Sequence, residues 1–198
     1  MLERRDTYAA LYRDFRWQMP ERFNIGRAGC DVWAERQPER IALFDYRSDG
    51  AAETLTYGEL RRRSDALAAA LRAKGVARGD RIALLLPQCF ETAIAHIAIY
   101  KLGAIAVPLA LLFGVEALEY RLHTAGVRVI ITNEAGRAKI AQIRPRLPML
   151  EQVVSIDGPG FGALDFHKLV HDHQGPFVLE DTGPEDPALI IFTSGTTG

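Results

Sequence analysis

Cysteine is scarce in this chain. Cys30 and Cys89 are the only two in 198 residues, far apart and outside any Cys-x-x-Cys pattern. That spacing argues against a disulfide framework or a zinc ribbon and fits a reducing compartment, so a cytoplasmic setting is expected. A surplus of either charge is lacking too. With 24 Lys and Arg against 25 Asp and Glu, the formal net charge is -1, which offers no electrostatic pull toward nucleic acid. The basic cluster Arg61-Arg62-Arg63 reads as the solvated face of a helix. Long apolar runs are missing as well. The stretch from Leu102 to Phe113 is interrupted by Gly103 and Pro108 and falls well short of a bilayer span. The charged start, Met1 to Asp6, has no apolar stretch behind it. Neither a secretory signal nor a transmembrane segment is therefore expected.

What is present is an ordinary globular composition, 48% apolar and 25% charged, in a chain long enough to bury a core. Ile41 to Tyr46 and Glu53 to Thr56 flank the turn-rich Ser48-Asp49-Gly50 and read as a hairpin. Thr56 and Glu59 stand at capping-box spacing, and Leu60, Leu67, Ala68 and Leu71 share one face of a helix that Gly75 stops. Four apolar strands are then expected at Arg81–Leu86, Ala104–Val107, Val127–Thr132 and Val153–Ile156. Helices at about Phe90–Leu102, Val115–Thr124 and Ala135–Ile143 separate them. Strand and helix alternate, so the fold class is α/β, a parallel sheet flanked by helices. Asp157 to Pro187 is rich in Gly, Pro and Asp and reads as a surface excursion with one short helix around Phe166 to His171. A last buried strand is expected at Ala188–Phe192.

That strand leads into Thr193-Ser194-Gly195-Thr196-Thr197-Gly198, six residues of only three kinds. Glycines let backbone N–H groups face a phosphate without a Cβ in the way, and the hydroxyls add donors. The loop is not a Walker A sequence, whose Gly-Lys-[Ser/Thr] ending is absent, so a P-loop NTPase is disfavoured. The structural alternative is a polar turn leaving a strand.

Ile190-Ile-Phe-Thr-Ser-Gly-Thr-Thr-Gly198 resembles the signature loop of the adenylate-forming enzymes: acyl- and aryl-CoA synthetases, luciferases and peptide-synthetase adenylation domains. Leu55-Thr-Tyr-Gly-Glu-Leu60, Ser64-Asp-Ala-Leu-Ala68 and Gly79-Asp-Arg-Ile-Ala83 are similar to the family's opening helix and strand. Lys101-Leu-Gly-Ala-Ile-Ala-Val-Pro-Leu109 is similar to its second conserved block. Phe23-Asn-Ile25, Asp31-Val-Trp-Ala34 and Val129-Ile-Ile-Thr-Asn133 look most like the medium-chain acyl-CoA synthetases. The resemblance implies a lead segment at 1–21 and, over 22–198, the N-terminal portion of the large AMP-binding domain, incomplete at its C-terminal end.

It also implies a chemistry. In the family a carboxylate attacks the α-phosphorus of ATP, pyrophosphate leaves, and the coenzyme A thiol then attacks the acyl-adenylate. By that carry-over Thr193, Ser194, Gly195, Thr196, Thr197 and Gly198 bind the β,γ-phosphates, with ATP, Mg²⁺ and coenzyme A required and a small carboxylic acid as substrate. None is a nucleophile or general base; their work is positioning and charge stabilisation. The sequence stops before the family's Pro-Lys-Gly continuation, its Thr-Glu pair, its ribose-binding Asp and its C-terminal domain with the catalytic Lys. No catalytic residue and no metal ligand is therefore expected here, and the chain is expected to be inactive without the missing C-terminal part. The last strand is expected to leave apolar edges exposed and to favour self-association. The rival readings are an adenylation domain that loads a carrier protein and a non-catalytic truncated binding module.

Three other patterns compete. Gly158-Pro-Gly-Phe-Gly-Ala163 with Glu180 beyond it matches a dinucleotide fingerprint, but no clear strand precedes Glu180 and the following helix is short. His167, His171, Asp172 and His173 could approach a metal, yet read as a solvated helix end. His96 and Cys89 lack a partner nearby in sequence and are read as core or boundary residues.

Overall fold

The computed structural model describes residues 4–46, 50, 52–160 and 162–193. A short helix α1, Tyr8–Asp14, is capped by the Thr7 side chain. A π-helical turn, Arg27–Asp31, runs directly into α2, Val32–Arg36. Strands β1, Ile41–Tyr46, and β2, Ala52–Thr56, pair antiparallel as the expected hairpin. Ser48 and Asp49 of its turn lie outside the described residues.

Helix α3, Tyr57–Ala73, starts where the capping-box spacing places it. Glu59 N–H donates to Thr56 Oγ1 at 3.2 Å while Thr56 N–H donates to Glu59 Oε2 at 3.0 Å, satisfying two otherwise orphaned donors. Leu60, Leu67, Ala68 and Leu71 are all buried, as one helical stripe must be to face a core. Gly75 takes φ +90° just past the helix end, a conformation that a Cβ disfavours.

Then follow β3 (Arg81–Leu85), α4 (Phe90–Lys101), β4 (Ile105–Pro108), α5 (Val115–Thr124), β5 (Val129–Thr132), α6 (Glu134–Ile143) and β6 (Gln152–Ser155). Strand β7, Leu164–Asp165, and helix α7, Phe166–Asp172, complete the described elements. The five strands β3 to β7 form one parallel sheet in the order β4-β3-β5-β6-β7. Alternate strand residues feed two cores because side chains alternate across a sheet. Ile82, Leu84, Ile131 and Val154 meet α3, α4 and α7 on one face; Ala83, Leu85, Val107 and Ile130 meet α5 and α6 on the other. Among the described residues no helix is long and apolar enough to cross a membrane.

Two expectations need revision. The stretch Ala188–Phe192 makes a single parallel bridge, Leu189 to Ala106, instead of a full strand. Ala106 N–H donates to Ala188 O at 3.0 Å and Ile190 N–H to Ala106 O at 2.9 Å. The next rung would need an N–H from position 108, which is Pro108. The Asp157–Pro187 excursion is also less external than its composition suggests. It supplies β7 to the sheet and buries Phe166 completely. Its return leg is laced to the N-terminal segment: Phe23 N–H donates to Thr182 O at 2.7 Å and Thr182 Oγ1 to Phe23 O at 2.8 Å.

Candidate functional site

Strand order reverses around β3, since β4 lies on one side of it and β5 on the other. In open α/β sheets ligands bind outside the carboxyl ends of the strands at such a switch point. A cavity of about 570 Å³ opens there, bounded by Leu84 of β3 and Leu86 just after it, Cys89 at the N-cap of α4, Thr92 and His96 on α4, Pro108 at the end of β4 and Leu109 just after it. The Leu43-Phe44-Asp45 segment of β1 closes another side.

The residues that precede the expected phosphate loop run beside this edge. Ala188 to Ile190 run parallel to β4, so Phe192 and Thr193 follow in the direction of its carboxyl end. Ile190 and Phe192 pack into the α5/α6 core, whereas Leu189 and Ile191 are turned outward, Ile191 with 62% of its surface exposed. Thr193 is exposed. Ser194, Gly195, Thr196, Thr197 and Gly198 lie outside the described residues. Thr193 is the one member of the loop whose surroundings the structure describes.

The cavity's polar side chains do not form a catalytic pair. Cys89 Sγ lies 3.4 Å from Thr92 Oγ1, and Thr92 Oγ1 donates to Pro87 O at 2.7 Å. His96 Nδ1 instead meets Tyr100 Oη at 3.2 Å. Burial pushes the Cys89 thiol up and the His96 imidazole down. At neutral pH the site therefore holds a thiol and an uncharged imidazole, each bonded elsewhere, not the activated thiolate that nucleophilic catalysis requires.

The other patterns resolve structurally. Gly160 and Ala163 pair across a tight antiparallel bridge that leads into β7, so the glycine run does not open a helix as a dinucleotide site demands. Glu180 is engaged by Arg72 at 2.7 Å. His167 and His171 are exposed on α7, and Asp172 is paired with Lys168 at 2.8 Å. Among the described residues no three His, Cys, Asp or Glu side chains gather to hold a metal ion.

A buried charge cluster escaped the sequence reading. Lys101 Nζ, at the end of α4, lies 2.5 Å from Asp65 Oδ1 on α3 and 2.7 Å from Asp31 Oδ1 at the end of the π-turn. Lys101 is 0% exposed, and both acids are buried. Gly26 makes room for it: a Cβ there would stand 2.7 Å from Lys101 Cγ. Burial pushes the Asp65 carboxyl above its usual range against the pull of Lys101, and pushes the adjacent Cys30 thiol up to about 12. The cluster joins α3, α4 and the π-turn on the core side of the sheet, so its work is structural.

A protein-family model described as "AMP-binding enzyme" matches residues 30–198. The chain is 28% identical to an acetyl-coenzyme A synthetase of Methanothrix thermoacetophila over 92% of this chain and 30% of that protein. It is 29% identical to a medium-chain fatty-acid–CoA ligase of Escherichia coli over 85% of this chain and 31% of that protein. The crystal structure of an acyl-CoA synthetase from Brucella canis superposes with a TM-score of 0.86 at 26% identity, covering 97% of this chain and 37% of that one. The chain thus spans about a third of the length of these proteins.

Proposed function

The chain belongs to the AMP-binding enzyme family, with residues 30–198 matching its model, and from that membership we propose that it is the N-terminal portion of an acyl-CoA synthetase. The reaction is activation of a small carboxylic acid by ATP to an acyl-adenylate, followed by thioester formation with coenzyme A. The observation that supports this reading is the approach of Thr193 along the outer edge of a parallel sheet, in the direction of the carboxyl end where nucleotide sites of this architecture lie. Residues 22–198 constitute the AMP-binding portion and 1–21 a lead segment.

In this reading Thr193, Ser194, Gly195, Thr196, Thr197 and Gly198 donate N–H and O–H groups to the β,γ-phosphates. Negative charge grows on those oxygens as the acid carboxylate displaces pyrophosphate, so donors fixed in advance lower the barrier. Mg²⁺ would supply further neutralisation of the triphosphate when bound, and the hydroxyls of Thr196 and Thr197 would help to orient the metal–phosphate unit. No residue of this chain acts as nucleophile or base. The chain by itself is inactive, and the remainder of a full-length enzyme completes the site. The setting is cytoplasmic.

ATP–pyrophosphate exchange, measured on this chain and on the full-length protein, tests the proposal. Exchange by the full-length protein, its loss in the isolated chain, and a fall in adenylation rate on Thr196→Ala that exceeds any weakening of acid binding are the expected results. An unchanged adenylation rate in Thr196→Ala would remove the phosphate role from that residue.

A further inference from the structure

Phe192, the residue before Thr193, is gripped by two neighbouring side chains of α5, Tyr120 and Arg121. The Arg121 guanidinium on α5 lies 4.2 Å from the centre of the Phe113 ring and 5.6 Å from that of Phe192. The Tyr120 ring meets Phe192 edge-on at 6.5 Å between centres. Arg121 is itself fixed one turn back, its Nη1 donating to Ala117 O at 2.9 Å. Its Nε is buried and has no hydrogen-bond partner, so that edge of the guanidinium is committed to ring surfaces instead of an acceptor. The backbone at Phe113 is held by Lys139 on α6, whose Nζ donates to the main-chain carbonyls of Leu111 and Phe113 at 2.6 and 3.0 Å.

These contacts make one chain of support: α6 holds the β4–α5 loop, that loop and α5 hold Arg121, and Arg121 with Tyr120 holds Phe192. The support is needed because the backbone offers little. Ladder pairing of this stretch ends at Ile190, where Pro108 has no N–H to give. Beyond that point Phe192, the residue before Thr193, is held by side-chain packing.

We propose that Arg121 is a positioning residue for the nucleotide-phosphate segment, acting through Phe192. The proposal deepens the acyl-CoA synthetase reading and rests on it. Arg121 touches no reacting atom; it fixes the residue from which the phosphate donors depart. Donors displaced by a fraction of an ångström lose transition-state and ATP contacts while the acid site is left alone.

The test uses the full-length protein with Arg121→Met, which keeps an apolar stem, and Phe192→Leu, singly and combined. Arg121→Met should raise KM for ATP in the exchange assay about tenfold, the size of a partly desolvated cation–π contact, with KM for the acid and the urea midpoint unchanged. In the Phe192→Leu background the same substitution should add less than about twofold, because both act through one contact. A second readout is independent of activity: chymotrypsin cleavage after Phe192 should speed about tenfold in Arg121→Met, since cleavage tracks the opened population. An unchanged ATP KM, effects that multiply independently, or a joint rise of both KM values with a lower urea midpoint would each overturn the proposal. If the unsubstituted protein shows no exchange, the acyl-CoA synthetase reading fails. Cleavage after Phe192 then judges the Arg121 contact by itself, and an unchanged rate overturns it.

Discussion

Replacing Lys101 with methionine should cost more stability than any surface change in this protein. Lys101 lies between two carboxylates, at 2.7 Å from Asp31 and 2.5 Å from Asp65, with none of its own surface exposed. Methionine matches the stem in length and volume, so packing changes little and the lost charge dominates. Two acids are then left buried without their cation. Arg61, 3.8 Å from Asp65 Oδ2 and partly solvated, is the nearest remaining compensation for Asp65. Removing one partner from a buried ion pair costs about 3–5 kcal/mol, against a total stability of about 5–15 kcal/mol for a typical domain. With a urea slope of about 2 kcal/mol per molar, the midpoint should fall by about 2 M.

The pH dependence carries the signature of the cause. The folded Asp65 carboxyl already lies above its usual range through burial, and loss of Lys101 raises it further. A group raised in the folded state contributes stability below its unfolded pKa and loses it as pH rises through the folded value. The deficit of Lys101→Met should therefore be small at acidic pH and grow as the pH rises past the ordinary carboxylate range. Substituting the whole cluster, Lys101→Met with Asp31→Leu and Asp65→Leu, should recover most of the loss, because no buried charge remains. A midpoint within about 0.5 M of the parent at neutral pH, corresponding to about 1 kcal/mol, would refute the reasoning.

Three further outcomes follow from named contacts. Thr56→Ala removes the Oγ1 acceptor of the α3 capping box and should cost about 1 kcal/mol in urea unfolding, with Glu59→Ala costing less. Cys30, buried and with its thiol pushed up to about 12, should resist a thiol reagent at neutral pH until the chain unfolds, whereas half-buried Cys89 should react first; mass spectrometry after timed labelling reads the order. His96 is held neutral by burial, with its folded pKa depressed, so its contribution is present above the ordinary histidine range and lost as pH falls through the folded value. His96→Phe should flatten the stability profile on that acidic side, and an unchanged slope between about pH 6.5 and 5 would argue against the assignment.

Much of the fold could be read along the chain because its causes are local. The Thr56–Glu59 spacing, the 3.6-residue stripe through Leu60, Leu67 and Leu71, the apolar runs at β3 and β5, and the breakers Gly75 and Pro87 act within a few residues of one another. Helix α5 spans Val115–Thr124, the range its periodicity marks out. The π-turn before α2 had no such signal. It is stabilised at long range by Asn24, whose amide donates to the carbonyls of Tyr100 at 2.9 Å and Glu180 at 3.1 Å. Strand β7 is two residues long, too short to show a period.

The site divides along the same line. Residue type alone made Thr193 to Gly198 a candidate phosphate loop, with a polar turn as the alternative, and the resemblance carried by the upstream blocks implied the phosphate role. The order of strands around β3, the cavity at its carboxyl end, the union of Lys101 with Asp31 and Asp65, and the seat of Phe192 against Arg121 required the folded chain. Each joins residues separated by dozens of positions. Such pairings depend on which face of the sheet each crossover helix covers, and no local pattern encodes that choice.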